Sequence, residues 1–535
     1  MAGNADRMRA DYVIVGGGSA GLVLANRLTE DGTASVILVE AGGEARGFMV
    51  QLPAGFAKLV GDPRWDWWYD QAPDPSINGR QLPWSAGKFL GGGSSLNGQV
   101  YIRGTRRDYD YWAESGATGW GFEDVLPYFR KLEGWQGEPD GIHGCSGPLS
   151  VTPMQEIHPF CRPFLEACGE AGLPVLPSCD ADKAEGAFLT NVSQKDGWRC
   201  STEKAYLRPA RQRQNLKVIT KAEVERIRIK DGRAVGIRFR QGNATVEVDA
   251  KREVIVSAGT LGSPALLMRS GIGDGAYLKR AGVEIVHELR EVGRNLQEHT
   301  NIRISKRINR PTLNGELGTP KMGLHALHFA WNRKGPLSLP IVQAMALAKA
   351  RDGLDEPSVQ LHFVPYCFDA DPKTRQITKD RAITIAATLC RPQSRGHVAL
   401  GEKGRPLAVH NFYSDTRDIE NLTDGCLLIE RIFRSAAFAK LVTGDRRPAP
   451  TPETREEWAD FLRGNSNGAH HHAGTCRMGT DDEAVVDPQL RLRGLEGLRV
   501  VDASIMPRIT STNTNATTIM IAEKAADIIR KRYFF

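Results

Sequence analysis

Residues 11–21 read DYVIVGGGSAG and join a short apolar run to a glycine-rich turn. The run at 12–15 is apolar and rich in β-branched residues, which predicts a buried strand. Gly16, Gly18 and Gly21 then supply the spacing GxGxxG. The first glycine permits a tight turn, the second lets a diphosphate approach the backbone, and the third lets the following helix pack on the strand. The N-terminus of that helix offers free N–H groups to phosphate oxygens.

A second predicted strand, at residues 35–39, ends at Glu40, which follows Gly21 by 19 residues. A carboxylate at this point can accept hydrogen bonds from a ribose 2′-hydroxyl and would repel a 2′-phosphate. The order of strand, glycines, helix, strand and acid therefore predicts a dinucleotide site. A tight turn with no ligand is the alternative, and the pattern does not distinguish FAD from NAD.

The size and charge of the chain exclude several classes of protein. Its 535 residues exceed one ordinary core, so we expect two or more domains. The net charge of +7 is mild, and no basic block is interleaved with aromatic residues, so no nucleic-acid partner is predicted. The sequence contains no apolar run of about 18 residues, which a transmembrane helix would need. The first residues lack the apolar segment of a secretory signal, so we expect a cytoplasmic protein.

The cysteines and one apolar region complete this first description. Nine cysteines occur without CxxC pairs or a metal-binding pattern, which predicts free thiols in a reducing compartment and no metal site. Residues 322–350 contain two apolar segments, LHALHFAW and LSLPIVQAMALA. A lid or a peripheral membrane contact would account for them, but we expect a packed pair of helices.

A second glycine-rich loop lies at residues 87–97, GKFLGGGSSLN. Its backbone N–H groups and two serine hydroxyls could line one ligand, as a second clamp on a long dinucleotide. Here the chain resembles the glucose–methanol–choline (GMC) flavoprotein oxidoreductases. Four segments carry the resemblance: 87–97; 259–273, GTLGSPALLMRSGIG; 292–299, VGRNLQEH, with Glu298 where aspartate is usual; and 501–524, which begins VDAS.

The resemblance implies an α/β (α+β) fold with two domains. A Rossmann-like FAD-binding domain would be assembled from residues 1–155, 196–300 and 465–535, and a substrate domain from 156–195 and 301–464. The substrate domain is expected to contain an antiparallel sheet flanked by helices. Local patterns agree with this division: the segments 215–220, 222–230 and 234–240 predict a β-meander, and 359–366, 382–389 and 397–400 predict strands of the substrate-domain sheet.

The resemblance also implies where FAD binds. The first glycine loop would hold the diphosphate, Glu40 the ribose, the backbone of Val224 the adenine, and the segment after Asp502 the flavin end. Some members attach FAD through a histidine in the second loop, where this chain has Leu96, so non-covalent FAD is predicted. The residues assigned to the cofactor are Gly16, Gly18, Ser19, Ala20, Gly21, Glu40, Ala41, Gly92, Ser95, Asn97, Gly98, Gln99, Val100, Val224, Asp502, Ala503 and Asn515.

The segment 465–479, NSNGAHHHAGTCRMG, carries the candidate catalytic residues. Three consecutive histidines can form a metal tract, but neighbouring side chains on an extended chain point to opposite sides, which disfavours it. Similarity to the family's HxxGTCRMG selects His471 as the general base. The second active-site residue matches Asn513, with Asn515 as the alternative. Ala469 and His470 are the expected substrate-pocket residues.

These residue types suit the oxidation of an alcohol. A neutral imidazole can take the hydroxyl proton near pH 7, and an amide can donate a hydrogen bond to the developing alkoxide. FAD would receive the hydride at N5. We therefore predict FAD-dependent oxidation of a primary alcohol, hydroxymethyl-aromatic or more general, to the aldehyde, with dioxygen or another acceptor reoxidising the flavin. The alternatives are a choline-type dehydrogenase and a hydroxynitrile-lyase-like protein without net redox turnover.

Overall fold

Two seven-stranded sheets form the framework of the protein, in a computed structural model that describes residues 8–154, 156–177, 185–316, 319–367 and 378–534. The mixed α/β class predicted from the sequence is confirmed. The longer helices are Ser19–Arg27, Arg106–Glu114, Phe122–Leu132, Cys161–Glu170, Gly259–Arg269, Gly275–Arg280, Lys321–Asn332, Thr416–Phe433, Arg455–Asn465 and Thr514–Phe534.

The first sheet contains the strand that precedes the glycine loop. Its order is Leu216–Ile219, Val36–Val39, Met8–Val15, Ala244–Val256, Arg233–Gln241 and Ala222–Lys230, and Leu498–Val500 also pairs with Ala244–Val256. Five of these strands run parallel, and their apolar, β-branched residues are buried because helices cover both faces of such sheets. The helices Ser19–Arg27 and Thr514–Phe534 pack against each other.

The predicted β-meander is wrong in its first member. Leu216–Ile219 pairs in parallel with Val36–Val39 at the sheet edge and makes no hairpin with the next strand. The antiparallel run instead comprises Ala222–Lys230, Arg233–Gln241 and Ala244–Val256. The 13-residue strand Ala244–Val256 continues from a solvent-facing hairpin into the buried centre of the sheet. Alternating polarity marked the strands but gave no information on partners, because pairing depends on distant segments.

The second sheet is antiparallel throughout. Its order is Val442–Arg447, Thr300–Ile308, Ala382–Leu389, Val359–Val364, Ala344–Ala348 and Gly186–Leu189, and Asn467–Gly468 also pairs with Thr300–Ile308. The helices Cys161–Glu170 and Thr416–Phe433 pack on the sheet and on each other, so they cover one face. The other face is left for the site described below.

Two further expectations differ from the structure. The strand His397–Leu400 does not join the second sheet; it pairs with Pro406–Val409, which in turn pairs with Asp70–Gln71. Residues 322–350 form one helix, Lys321–Asn332, followed by the fully buried strand Ala344–Ala348, rather than a pair of helices. A short apolar run of small residues suits a central strand as well as a helix, and its length favours the strand.

Within the described residues, no helix combines the length and the apolar character that crossing a membrane requires. The eight cysteines that the structure describes are free thiols, and Cys179 lies outside the described residues. The domain boundaries given above stay a prediction.

Candidate active site

The glycines of the first loop differ in what surrounds them. A Cβ on Gly16 would lie 2.4 Å from the Ser257 carbonyl oxygen, and one on Gly21 would lie 2.0 Å from the Gly16 carbonyl oxygen. Gly16 also has φ +101°, where side chains are strained. These two glycines therefore serve the turn and the packing of helix on strand. A Cβ on Gly18 would meet nothing within 4 Å, so the space beside it is open to a ligand.

The second glycine loop closes on the first. The Gly91 N–H donates to the Gly17 carbonyl at 2.7 Å, and a Cβ on Gly92 would lie 2.9 Å from the Gly18 Cα. The serines act inside the loop: Ser94 Oγ donates to the Gly91 carbonyl and Ser95 Oγ to the Leu90 carbonyl. Neither serine lines the cavity described below.

Two buried carboxylates lie at the ends of first-sheet strands. Glu40 follows Val36–Val39 and accepts hydrogen bonds from the backbone N–H groups of Gly17 and Gly42, each at 2.7 Å. Asp502 follows Leu498–Val500 and accepts from the Ser263 hydroxyl at 2.5 Å and the Gly259 N–H at 2.9 Å. Burial raises the pKa of both carboxyls, and these hydrogen bonds oppose that rise by stabilising the charged form.

One cavity of about 500 Å³ extends from these loops to the second sheet. It brings together nearly all residues that the sequence assigned to a site; only Gly21 and Ser95 do not line it. The assigned residues on its wall are Gly16, Gly18, Ser19, Ala20, Glu40, Ala41, Gly92, Asn97, Gly98, Gln99, Val100, Val224, Ala469, His470, His471, Asp502, Ala503, Asn513 and Asn515.

His471 lies between two hydrogen-bonding side chains. Its Nε2 is 3.0 Å from Asn513 Nδ2, and its Nδ1 is 3.0 Å from Nδ1 of His299. Asn515, the alternative partner in the sequence, donates instead to the Ser19 hydroxyl at 2.9 Å. The sequence motifs did not assign His299 to the site, although it is the last residue of the segment VGRNLQEH at 292–299.

The partners of His299 fix the proton positions along this row. His299 Nε2 faces two carbonyl oxygens, of Cys390 at 3.1 Å and Thr510 at 2.9 Å, and carbonyls only accept, so this nitrogen carries the proton. In a neutral His299 the Nδ1 must then accept, and the donor is Nδ1–H of His471. His471 Nε2 is therefore the unprotonated nitrogen, and its lone pair accepts a hydrogen bond from Asn513 Nδ2. The same nitrogen faces the cavity.

Burial keeps these imidazoles neutral. It lowers the pKa of His471 well below the ordinary value of 6.5, and the nearby His299 and His362 lower it further. Burial also lowers the pKa of His299 to about 4 and that of His362 to about 3. At neutral pH, His471 thus has the protonation state that a general base needs.

The other side of the histidine run is a buried aromatic cluster. The His472 ring lies 4.3 Å from that of Trp84, which in turn stacks on His410 at 3.8 Å. Glu298 Oε1 accepts the His471 backbone N–H at 2.9 Å, and its Oε2 lies 3.5 Å from His472 Nε2. Burial raises the pKa of Glu298 to about 8 and lowers that of His472 to about 3. In the described residues, no group of three or more His, Cys, Asp and Glu side chains is placed to hold a metal ion.

The wall opposite the glycine loops comes from the second sheet, and the sequence did not identify it. The strand register places three of its residues on the same face of the sheet. Arg303 pairs with Ala386, and Ala386 pairs with His362. The cavity residues on this wall are Asn301, Arg303, Ile341, Val342, His362, Val364, Thr384 and Ala386. The acidic residues among the described cavity lining are Glu40, Glu223 and Asp502, and none belongs to this wall.

FAD fits the donor set of the cavity. The open space beside Gly18 and the apposed loops leave room for a diphosphate at a helix N-terminus. Arg199, which is 1% exposed, points Nη1 at Asn97 Oδ1 at 2.8 Å, and its Nε and Nη2 make no hydrogen bond within the described chain. Burial lowers the pKa of Arg199 to about 9, so an anion bound near this loop would relieve its cost.

The fold and this cavity define a flavin-dependent alcohol oxidoreductase. Residues 10–301 match the N-terminal domain of the GMC oxidoreductases and residues 392–522 the C-terminal domain, so the chain belongs to the GMC oxidoreductase family. The predicted family, FAD dependence and enzyme class are thereby confirmed.

Several relatives match along nearly the full length. The chain is 37% identical over 531 residues to the oxygen-dependent choline dehydrogenase of Brucella canis and 38% identical over 531 residues to that of Rhizobium meliloti; each match covers 98% of this chain and 96% of the relative. Among solved structures, pyridoxine 4-oxidase from Mesorbium loti has 31% identity and a TM-score of 0.88, covering 98% of this chain and 99% of that one. A formate oxidase structure has 25% identity and a TM-score of 0.91, covering 99% of each chain.

Proposed function

We propose that this protein oxidises a primary alcohol to the aldehyde, with Nε2 of His471 as the general base. The observation that carries the proposal is the order of hydrogen bonds from the Thr510 and Cys390 carbonyls through His299 to His471. This order leaves the lone pair of His471 directed at the cavity. A buried imidazole with a lowered pKa remains ready to accept a proton at neutral pH.

The proton moves between defined groups in this proposal. The substrate hydroxyl lies where Asn513 Nδ2 can donate to its oxygen while His471 Nε2 takes its proton. His471 then carries two N–H groups, and the one on Nδ1 remains bonded to His299, which keeps the ring oriented. The amide of Asn513 stabilises negative charge on the substrate oxygen. Bound FAD supplies the acceptor for the hydride that leaves the alcohol carbon.

We infer that the chain holds FAD non-covalently across the two glycine loops. The backbone at Gly16, Gly18 and Gly92 supports the diphosphate, and Glu40 supports the ribose. Leu96 lines the cavity at the loop position where some relatives carry a histidine, and its side chain offers no nucleophile for a covalent link. We also propose cofactor contacts for the other residues that the sequence assigned to FAD. The domain boundaries given above are likewise a proposal.

The preferred substrate is a neutral hydroxymethyl-aromatic or similar primary alcohol. A quaternary ammonium group would favour a carboxylate or an aromatic cage close to the base. The described carboxylates of the cavity are in the cofactor half, and the second-sheet wall carries Arg303 and His362. The 31% identity to a pyridoxine 4-oxidase supports a substrate with a ring. The choline dehydrogenases at 37–38% identity favour the alternative, a choline-type substrate.

The test is anaerobic bleaching of the flavin in the purified holoenzyme by a panel of alcohols. We expect hydroxymethyl-aromatic alcohols to bleach it faster than choline at equal concentration. Faster bleaching by choline would replace our substrate class with the alternative. Bleaching by no alcohol would overturn the proposal and favour the lyase-like function. Admission of air then identifies the electron acceptor, because rapid return of colour indicates dioxygen and slow return indicates another acceptor.

A further inference from the structure

The helix Lys321–Asn332 exposes large apolar side chains on one face. Leu324, Leu327 and Trp331 are 65%, 69% and 89% exposed, and their i, i+3, i+7 spacing aligns them along the helix. Phe329 is the buried residue of the helix, with its ring 4.9 Å from that of Trp198. Contiguous exposed apolar surface marks sites of interaction rather than ordinary surface.

A second pair of exposed apolar side chains lies near the helix, on the side where the helix packs on Trp198. Phe48 and Met49 are 58% and 45% exposed, and the Phe48 ring lies 5.8 Å from Trp198, on which the helix also packs. We name Phe48, Met49, Leu324, Leu327 and Trp331 the apolar face. They are five of the eight large apolar side chains that are strongly exposed in the described chain; the other three are Val175, Ile285 and Val286.

Positive charge surrounds the apolar face. Residues 319–351 contain no Asp or Glu, and the exposed Lys321, Arg333 and Lys334 are at the two ends of the helix. Arg46, also exposed, precedes Phe48 by two positions. The nearest acids in sequence are few.

Three acids near the face moderate this charge without reversing it. Glu316 lies 2.9 Å from His325 and 3.9 Å from Lys321. Asp196 is exposed two residues before Trp198. Glu156 Oε2 accepts the Gly335 N–H at 2.6 Å, next to Lys334. Four exposed cations therefore lie near the face against three acids.

This charge pattern decides which occupant suits the face. A symmetric pairing of two copies would bring the same cations of both chains together and would be repulsive. An anionic lipid surface instead attracts the flanking lysines and arginines while the apolar side chains enter the headgroup boundary. Tryptophan is enriched at that boundary, and Trp331 is the most exposed member of the face.

The chain that follows the helix leads to the cavity wall. The segment after the helix supplies Ile341 and Val342 to the cavity wall. The carbonyl of Leu337 accepts a hydrogen bond from the Ala54 N–H at 3.2 Å, next to the cavity residue Phe56. A partner on the face would thus lie beside the wall of the site.

We propose that the apolar face docks this protein on an anionic lipid bilayer, with the helix Lys321–Asn332 lying in the interface. The docked helix lies along the membrane surface and does not span it. Docking places the adjacent cavity wall next to the lipid phase, where apolar alcohols and apolar electron acceptors concentrate.

The experiment is co-sedimentation of the full-length, FAD-loaded protein with vesicles. One set contains equal parts of phosphatidylglycerol and phosphatidylcholine, and the other contains phosphatidylcholine alone. We expect binding to the anionic vesicles at low salt, weaker binding as salt rises, and less binding to the neutral set. The triple variant Leu324→Ser, Leu327→Ser, Trp331→Ser should lower the bound fraction about tenfold or more.

Two further variants keep the test decisive. Lys321→Gln with Lys334→Gln should weaken binding to the anionic vesicles and leave the neutral set unchanged. The matched control Val175→Ser with Ile285→Ser removes exposed apolar side chains from other segments and should bind as the wild type does. Flavin absorbance and the melting temperature of each variant show that it is folded.

Three results would overturn the proposal. The wild type fails to bind anionic vesicles at low salt, or the triple variant binds them as well as the wild type does. In the third, the wild type is a dimer in solution that the triple variant dissociates, which would assign the face to a second copy of the chain.

Discussion

His471 and His472 are adjacent residues of one type, and the structure gives them opposite surroundings. Both are partly buried, and burial lowers the pKa of both. The ring nitrogens of His471 are both hydrogen-bonded, to His299 and Asn513, in an order that fixes the tautomer. The ring of His472 packs on Trp84, and its Nε2 makes no hydrogen bond in the described chain.

The difference shows that burial alone does not make a base. Both imidazoles are neutral at pH 7, so protonation state does not separate them. What separates them is a defined donor and acceptor at each nitrogen of His471, which aims one lone pair at the cavity. His471 enters the polar row and His472 packs in the aromatic cluster, although both residues line the cavity.

The largest expected effect is the loss of the proposed base. His471→Ala should retain FAD and lower the rate of anaerobic flavin reduction by the best alcohol roughly a thousandfold, within the range for removal of a general base. His472→Ala is the matched control and should lower the rate far less, because its ring lies outside the polar row. Equal losses in the two variants would mean that the hydrogen-bonded row does not define the base.

Asn513→Ala should cause the next largest loss of rate. The amide is the donor placed beside His471 Nε2, and removal of one donor to a developing oxyanion costs about a hundredfold in rate. Stopped-flow flavin reduction measures it, with Asn515→Ala as control, since Asn515 bonds to Ser19 and not to His471. A larger loss in the Asn515 variant would reverse the assignment of these two residues.

The cofactor half of the site could be predicted from sequence because it is built from contiguous segments. A glycine loop, its flanking strand and helix, and an acid at a fixed distance lie within residues 11–40. Nearly all residues assigned to this half line the cavity. The two exceptions have local reasons: Gly21 packs against the Gly16 carbonyl, and the Ser95 hydroxyl bonds to the Leu90 carbonyl inside the loop.

The second-sheet wall of the cavity could not be predicted, since it depends on contacts between distant segments. Arg303 and His362 share a face only through the pairing of three strands from 300–308, 359–364 and 382–389. The role of His299 likewise depends on carbonyls at Cys390 and Thr510, far away in sequence. The misassigned strand Leu216–Ile219 has the same cause, because alternation identifies a strand but not its neighbour.

A smaller loss of rate is expected when His299, which fixes the tautomer of His471, is replaced. His299→Leu removes the acceptor for His471 Nδ1–H in a buried site, which costs about 1–3 kcal/mol and should lower the rate of flavin reduction about tenfold. His299→Gln can still accept from His471 and donate to a carbonyl, so it should recover much of that loss. If the leucine and glutamine variants reduced the flavin equally slowly, His299 would act by its shape and not by accepting the hydrogen bond from His471.

The pH dependence tests the low pKa of His471. Burial and the neighbouring histidines hold that pKa well below 6.5, so the base form persists as pH falls. The rate of flavin reduction should therefore stay constant from pH 8 down past pH 6.5 and decline only at lower pH. A decline centred near 6.5 would show a solvated imidazole at the site, contrary to the buried row.

Glu298 touches both histidines and should give the smallest change in rate. Its Oε1 accepts the His471 N–H, and glutamine keeps an acceptor there, so Glu298→Gln should alter flavin reduction less than about threefold. Its effect on stability depends on pH. Because burial raises the pKa of Glu298 to about 8, the folded protein keeps a proton between pH 4.5 and 8 that the unfolded chain has released.

The wild type must therefore lose stability relative to Glu298→Gln as pH rises through this interval, since the glutamine side chain does not titrate. Thermal unfolding of the two holoenzymes at pH 5 and pH 8 measures the difference. We expect the melting temperature of the variant to rise relative to the wild type between these values. A constant difference in melting temperature would mean that Glu298 is ionised in the folded protein and forms an ion pair with His472, 3.5 Å away.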